Sequence, residues 1–251
     1  MIPLRDENPT LHTSFATIAI VAANVAVWVL VQGLGAPREL LESVWNYGLI
    51  PAELLGHVEP GDKLQVSQGL YYVFETPNWW TPLTSMFMHG GWFHIIGNMW
   101  FLSVFGDNVE DAMGSIRFIL FYLVCGLVAA AAQVVTAPAS TIPMVGASGA
   151  IGGVMGAYLM LYPRAPVHML VFIGFFITRV VVPAFFMLGY WFLLQLIAGS
   201  LSPKDQGGVA FWAHVGGFAA GMLLVHVFCD RERLAKCRGR RGRIQRMMRR
   251  A

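Results

Sequence analysis

Residues 143–156 read PMVGASGAIGGVMG, and this stretch decides the fold. Glycine and alanine crowd around one serine, Ser148, at the mouth of a long apolar run. In a soluble helix each such glycine is about 1 kcal/mol worse than alanine. Between membrane helices the same residues are useful, because a missing side chain lets two backbones approach closely. On a helix, Ser148, Gly152 and Gly156 follow i, i+4, i+8 and share one face. Ser148 therefore sits at the end of a smooth surface against which a second helix can press.

The rest of the chain fits a membrane setting. Of 251 residues, 56% are hydrophobic and only 12% charged, about half the charged fraction of an ordinary soluble domain. The sequence predicts an all-α membrane protein with six spans, at about residues 13–34, 91–105, 118–136, 148–162, 184–199 and 209–228. Residues 1–229 are expected to form this membrane domain and 230–251 a basic tail. Residues 1–13 are short and polar and lack the pattern of a cleavable leader. Residues 35–80 form a long loop after the first span, acidic and rich in Trp and Tyr, which suits a folded loop at the membrane edge. Residues 106–117 read as a short charged turn. Residues 163–183 are apolar but begin Pro-Arg-Ala-Pro and contain Arg179. An arginine at mid-bilayer costs about 2.5–3.5 kcal/mol, so 165–181 is expected to be interfacial.

Charge sets the orientation. Residues 230–251 carry ten Lys and Arg against Asp230 and Glu232, whereas the remainder is net acidic. A basic run straight after an apolar span marks the cytoplasmic side and suits contact with anionic lipid rather than nucleic acid. Six spans then place both termini in the cytoplasm, with Arg117, Arg164 and Arg179 inside and the acidic loop outside. Cys125, Cys229 and Cys237 form no disulfide framework. The lack of a targeting presequence suggests a prokaryotic plasma membrane.

With that orientation, the second, fourth and sixth spans enter from the outer face. Each carries polar groups near its entrance: His94 and Asn98, Ser148, and His214. Polar side chains at membrane depth are costly unless they find partners. His94 and Asn98 are i, i+4 and share a face. His214, Gly217 and Gly221 give the sixth span its own smooth face beneath a histidine. Two glycine-faced helices can bring the imidazole to the hydroxyl, and serine needs such a base to become a nucleophile. His94, Asn98 and the Ser148 backbone N–H are candidate donors to an oxyanion. Metal binding fits poorly, since His89 and His94 are i, i+5 and no Cys, Asp or Glu lies at their depth. A transporter would instead place polar groups at the midplane in repeated halves.

These residues resemble the rhomboid family of intramembrane serine proteases. The matching motifs are His89-x4-His94-x3-Asn98, Gly146-Ala147-Ser148-Gly149 and Ala213-His214-x2-Gly217-x3-Gly221, within residues 79–229. The resemblance implies a six-helix bundle whose cavity opens outward. It implies Ser148 as nucleophile and His214 as general base, a dyad without a carboxylate. His94, Asn98 and the Ser148 N–H would hold the oxyanion, and Gly146, Gly149, His89 and Gly217 would shape the site. No cofactor or metal is implied. Substrates would be transmembrane proteins cut in or beside their helices. Residues 200–208 would cap the site and the fifth span would be a lateral gate. Three positions depart from the family pattern: Thr81 follows Trp80 where arginine is common, Ala112 replaces the arginine of a Glu-x-Arg motif, and Gly152 stands where an aromatic often packs on the histidine. A catalytically silent scaffold that binds client helices is the alternative of a different class. The intact Ser148 and His214 favour the protease.

Overall fold

The apolar runs form helices, and the stretches between them form short helices and two small antiparallel sheets. The computed structural model describes residues 2–75, 77–174, 176–202 and 209–248. In chain order the elements are β1 (Ile2–Asp6), α1 (Phe15–Leu30), α2 (Pro37–Tyr47), α3 (Pro51–Leu54), β2 (Lys63–Ser67), β3 (Leu70–Val73), α4 (Thr81–Thr84), α5 (Trp92–Met113), α6 (Ser115–Thr136), α7 (Ser148–Leu161), β4 (Pro166–Ile173), β5 (Phe176–Pro183), α8 (Ala184–Leu201), α9 (Phe211–Phe228) and α10 (Arg231–Met248). Helices α6, α8 and α9 are long and apolar enough to cross a membrane, and α1 and α7 are shorter apolar helices.

Helix α7 is the centre of the bundle. Every residue from Gly149 to Tyr158 is buried, and α5, α6, α8 and α9 pack around it. Its lack of charged side chains makes this possible, and its glycines make it close. A Cβ on Gly217 or Gly221 of α9 would overlap the carbonyl oxygen of Gly149 or Gly153 on α7. A Cβ on Gly149 would lie 2.6 Å from the Cβ of Ala129 on α6. Backbone therefore meets backbone along the faces expected from the i, i+4 spacing.

Two expectations are corrected. First, the chain is mostly helical but not all-α. Pro166–Ile173 and Phe176–Pro183 are paired antiparallel strands, and β1 pairs with β4 to complete a three-stranded sheet in the order β1-β4-β5. The run Val180-Val181-Val182 is β-branched and suits a strand. Within 35–80, α2, α3 and the β2–β3 hairpin give the long segment its own structure. Second, residues 106–113 are not a turn. Helix α5 continues through them and breaks only at Gly114, whose φ is +83°.

The charges of that last α5 turn are buried because they cap another helix. Glu110, 3% exposed, accepts hydrogen bonds from the Ala16 and Thr17 backbone N–H groups at 2.9 and 2.8 Å. It also accepts from Thr17 Oγ1 at 2.8 Å and Ser115 Oγ at 2.6 Å. Asp111 accepts from the N–H groups of Leu11 and His12. The first N–H groups of a helix have no partner within it, and Ser14 at the start of α1 makes no side-chain cap. Glu110 supplies that cap from across the bundle and places its charge at the positive end of α1. Glu110→Ala is expected to lower stability by about 2–3 kcal/mol, the value of charge-assisted bonds lost with their donors left buried. Chemical or thermal unfolding in detergent reads it, and no change would show that the cap carries no stability.

The same end of the bundle holds β1 and α10. Tyr158 of α7 donates a hydrogen bond to Asp6, and burial pushes the Asp6 carboxyl up to about 7. Arg238 of α10 donates to the Leu161 carbonyl at the end of α7, 3.3 Å away, and Arg240 donates to the Thr10 carbonyl at 2.8 Å. Residues Arg231–Met248 of the basic tail are thus a helix partly seated on the protein rather than a free strand of charge. Cations at a helix C-terminus are favourably placed.

Candidate active site

The other end of the bundle gathers the starts of α5, α7 and α9. Before α7 the chain is pinned on both sides. Leu49 and Met144 exchange backbone hydrogen bonds of 2.9 and 2.8 Å, and Gly146 N–H donates to the Ser85 carbonyl at 2.9 Å. Gly146 has φ +126°, and a Cβ there would lie 2.6 Å from His94 Nε2. Only glycine lets the chain turn so close to that ring. Ser148 follows as the first residue of α7.

Ser148 Oγ lies 2.8 Å from His214 Nε2. The residues are 66 apart in sequence, and the α7–α9 contact brings them together. Asn98 and His94, on α5, line the same cavity of about 430 Å³ as Ser148 and His214. Gly90 N–H donates to His94 Nδ1 at 3.2 Å. An Nδ1 that accepts leaves the proton of the neutral ring on Nε2, which is the nitrogen nearest Gly146. Asn98 is 8% exposed and its Nδ2 is buried with no hydrogen-bond partner among the described residues. A buried donor without a partner calls for an explanation. Asn98 lines the cavity beside Ser148, which places this donor close to where an incoming oxygen would bind. The Ser148 N–H, in the first turn of α7, belongs to the donors a helix cannot satisfy itself. Together the arrangement can activate a hydroxyl and stabilise an oxyanion.

His89 is fully buried outside the cavity. Its ring meets that of His94 edge to face, with centroids 5.2 Å apart, and its backbone N–H and C=O both pair with the Gln32 side chain at 2.8 Å. It supports His94 from behind. Among the described residues no group of three His, Cys, Asp or Glu could hold a metal ion.

Sequence reasoning missed two contacts to His214. Gln195 Oε1, on α8, lies 2.8 Å from His214 Nδ1. The indole of Trp191, one turn earlier, has its centroid 5.8 Å from the imidazole, tilted by 36°. The ring absent at Gly152 is thus supplied from another helix. At Gly152 itself a Cβ would lie 3.2 Å from the His214 carbonyl, so α9 backbone occupies that space. A lone Gln in an apolar span was the available signal, since such a group needs a partner. The expected cap at 200–208 falls mostly on 203–208, which lie outside the described residues. The other two departures also have places. Thr81 donates from Oγ1 to the Asn78 carbonyl at 2.8 Å. Ala112 is buried, and its carbonyl accepts from the Asp230 N–H at 2.9 Å.

A Rhomboid domain family model matches residues 76–231, more than half of the chain. The chain belongs to the rhomboid family. It is 34% identical over 145 residues to Rhomboid protease GluP of Bacillus subtilis, covering 58% of this chain and 25% of that protein. It is 30% identical over 162 residues to Rhomboid-like protein 11, chloroplastic, of Arabidopsis thaliana, covering 63% and 55%. It is 31% identical over 121 residues to Putative rhomboid protease YdcA of Bacillus subtilis, covering 47% and 56%. The match spans between a quarter and just over half the length of these relatives. The rhomboid family is an integral membrane family, and the apolar helices of this chain accord with that.

Proposed function

We propose that this rhomboid chain is an intramembrane serine endopeptidase using a Ser148–His214 dyad. The observation that carries the reading is the 2.8 Å contact between Ser148 Oγ and His214 Nε2, beside the buried Asn98 Nδ2 that has no hydrogen-bond partner among the described residues. His214 Nε2 takes the Ser148 proton as Oγ attacks the scissile carbonyl carbon. The carbonyl π pair moves to oxygen, and the oxyanion is held by His94 Nε2–H, Asn98 Nδ2–H and the Ser148 N–H. The oxyanion collapses, the C–N bond breaks, and His214 returns the proton to the leaving amine. Water then attacks the acyl-serine, giving its proton to His214, and Ser148 recovers a proton as the carboxylic acid leaves.

Helices α1, α5, α6, α7, α8 and α9 are the six proposed spans. The site would open on the outer face and α10 would lie at the cytoplasmic face near anionic lipid, an orientation supported by the site's place at the start of α7 and the contact of α10 with its end and by the basic tail. Substrates would be transmembrane segments that unwind readily. The test is cleavage of a tagged transmembrane substrate in liposomes. Wild type should cleave and Ser148→Ala should not, with both equally folded. Cleavage retained by Ser148→Ala overturns the mechanism.

A further inference from the structure

Helix α8 is the least buried of the three long apolar helices, at 17% of its window against 39% for α6 and 33% for α9. Yet it touches the site at two points. Trp191 and Gln195 are i, i+4 and lie on one face. Trp191 packs on both His214 and Phe218, and Phe192 stacks on Phe218 with centroids 4.6 Å apart. This aromatic contact seats α8 on α9. Gln195 is the sole amide side chain of α8. An amide in an apolar helix is expensive unless paired, and its oxygen is paired with His214 Nδ1 at 2.8 Å.

The consequence is a choice of tautomer. A carbonyl oxygen can only accept, so His214 Nδ1 must carry the proton. The neutral ring then has its lone pair on Nε2, facing Ser148 Oγ at 2.8 Å. In the other tautomer Nε2–H would face the hydroxyl and no base would be present. We propose that Gln195, backed by Trp191, is a positioning residue that holds His214 as the Nδ1–H tautomer, so that α8 completes the dyad. This rests on the protease reading above. Because α8 is peripheral, the base is set only while α8 is seated on α9.

Among the described residues, the groups facing His214 are few. His94 of α5 is the titratable neighbour, Ser148 comes from α7, and Trp191 and Gln195 come from α8. Helices α7 and α8 carry no Asp, Glu, Lys or Arg, and the sole such residue of α6, Arg117, is at its far end.

The experiment compares wild type, Gln195→Leu and Gln195→Glu. Nitrogen-15 NMR of labelled histidine in micelles, above the imidazole titration, reads the tautomer. Cleavage in liposomes reads kcat and KM across pH, with Ser148→Ala as the inactive control and thermal unfolding as the check on folding. Wild-type His214 should be protonated at Nδ1 alone, and Gln195→Leu should lose that preference. Its kcat should fall roughly 10- to 100-fold, as for other partners that orient a histidine, with KM little changed. Gln195→Glu should restore the acceptor and recover kcat to within about tenfold of wild type. A negative charge beside the ring favours imidazolium, so its acid limb should move to higher pH. An Nε2-protonated His214 in wild type, an unchanged tautomer in Gln195→Leu, or an unchanged kcat in a folded Gln195→Leu overturns the proposal. If wild type cleaves nothing, the protease reading falls, and the NMR result alone decides whether Gln195 sets the ring.

Discussion

His214→Ala is expected to lower kcat by about 10,000-fold or more without unfolding the chain. The size follows from what the serine loses. A hydroxyl is a weak nucleophile at neutral pH, and no other base lies within hydrogen-bond reach of Ser148 Oγ among the described residues. The pH profile carries the same information in the intact protein. His214 must be neutral to take the proton, so kcat/KM should fall tenfold per pH unit once pH drops below the imidazole titration. The limb points to acid because protonation removes the lone pair on Nε2. The backbone around His214 does not depend on its ring, since Ala213 and Gly217 make the buried helix contact. A folded His214→Ala variant that still cleaves within tenfold of wild type would remove the histidine from the mechanism.

Gly221→Ala should be among the most damaging single-methyl changes at the described glycines. A Cβ there would overlap the Gly153 carbonyl oxygen, and Gly153 in turn packs on the Cβ and Sγ of Cys125. Neither neighbour can swing aside, because one is backbone and the other is held in the core. Overpacking of this kind costs about 1–3 kcal/mol, and here α7 and α9 must part to accommodate it. His214 lies two turns from Gly221 on the same face, so activity and Tm should fall together. Gly189→Ala is the control: it is also within a helix, but nothing lies within 4 Å of its Cβ position. It should be neutral or slightly stabilising, since alanine is the better helix former. Equal Tm values for the two variants would contradict the close packing of α7 and α9.

These two positions show how much was legible in the sequence. The glycine faces of α7 and α9 could be read because a helix repeats at i, i+4, and the same rule pairs His94 with Asn98. A polar group in an apolar run stands out, as Ser148 and His214 do. The signals fail where a partner lies far away with no spacing rule. Strand β1 pairs with β4 across more than 150 residues, Ile2 opposite Leu170. The apolar β4–β5 hairpin shows no alternation, so it could not be told from an interfacial segment. Glu110 and Asp111 look like a polar turn until the N–H groups of 11, 12, 16 and 17 are seen to need them. Gln195 also stands out in its apolar run as a group that needs a partner, but nothing in the sequence says which. It has no motif of its own, and its meaning comes from a histidine on the next helix.

Every proposed step depends on Ser148 being the activated nucleophile. The most direct measurement is covalent labelling with a fluorophosphonate, followed by mass-spectrometric mapping of the adduct. One phosphonyl group on Ser148, absent when His214 is replaced by alanine, is the expected result. Cleavage that proceeds with no adduct, or with an adduct on another residue, would contradict it.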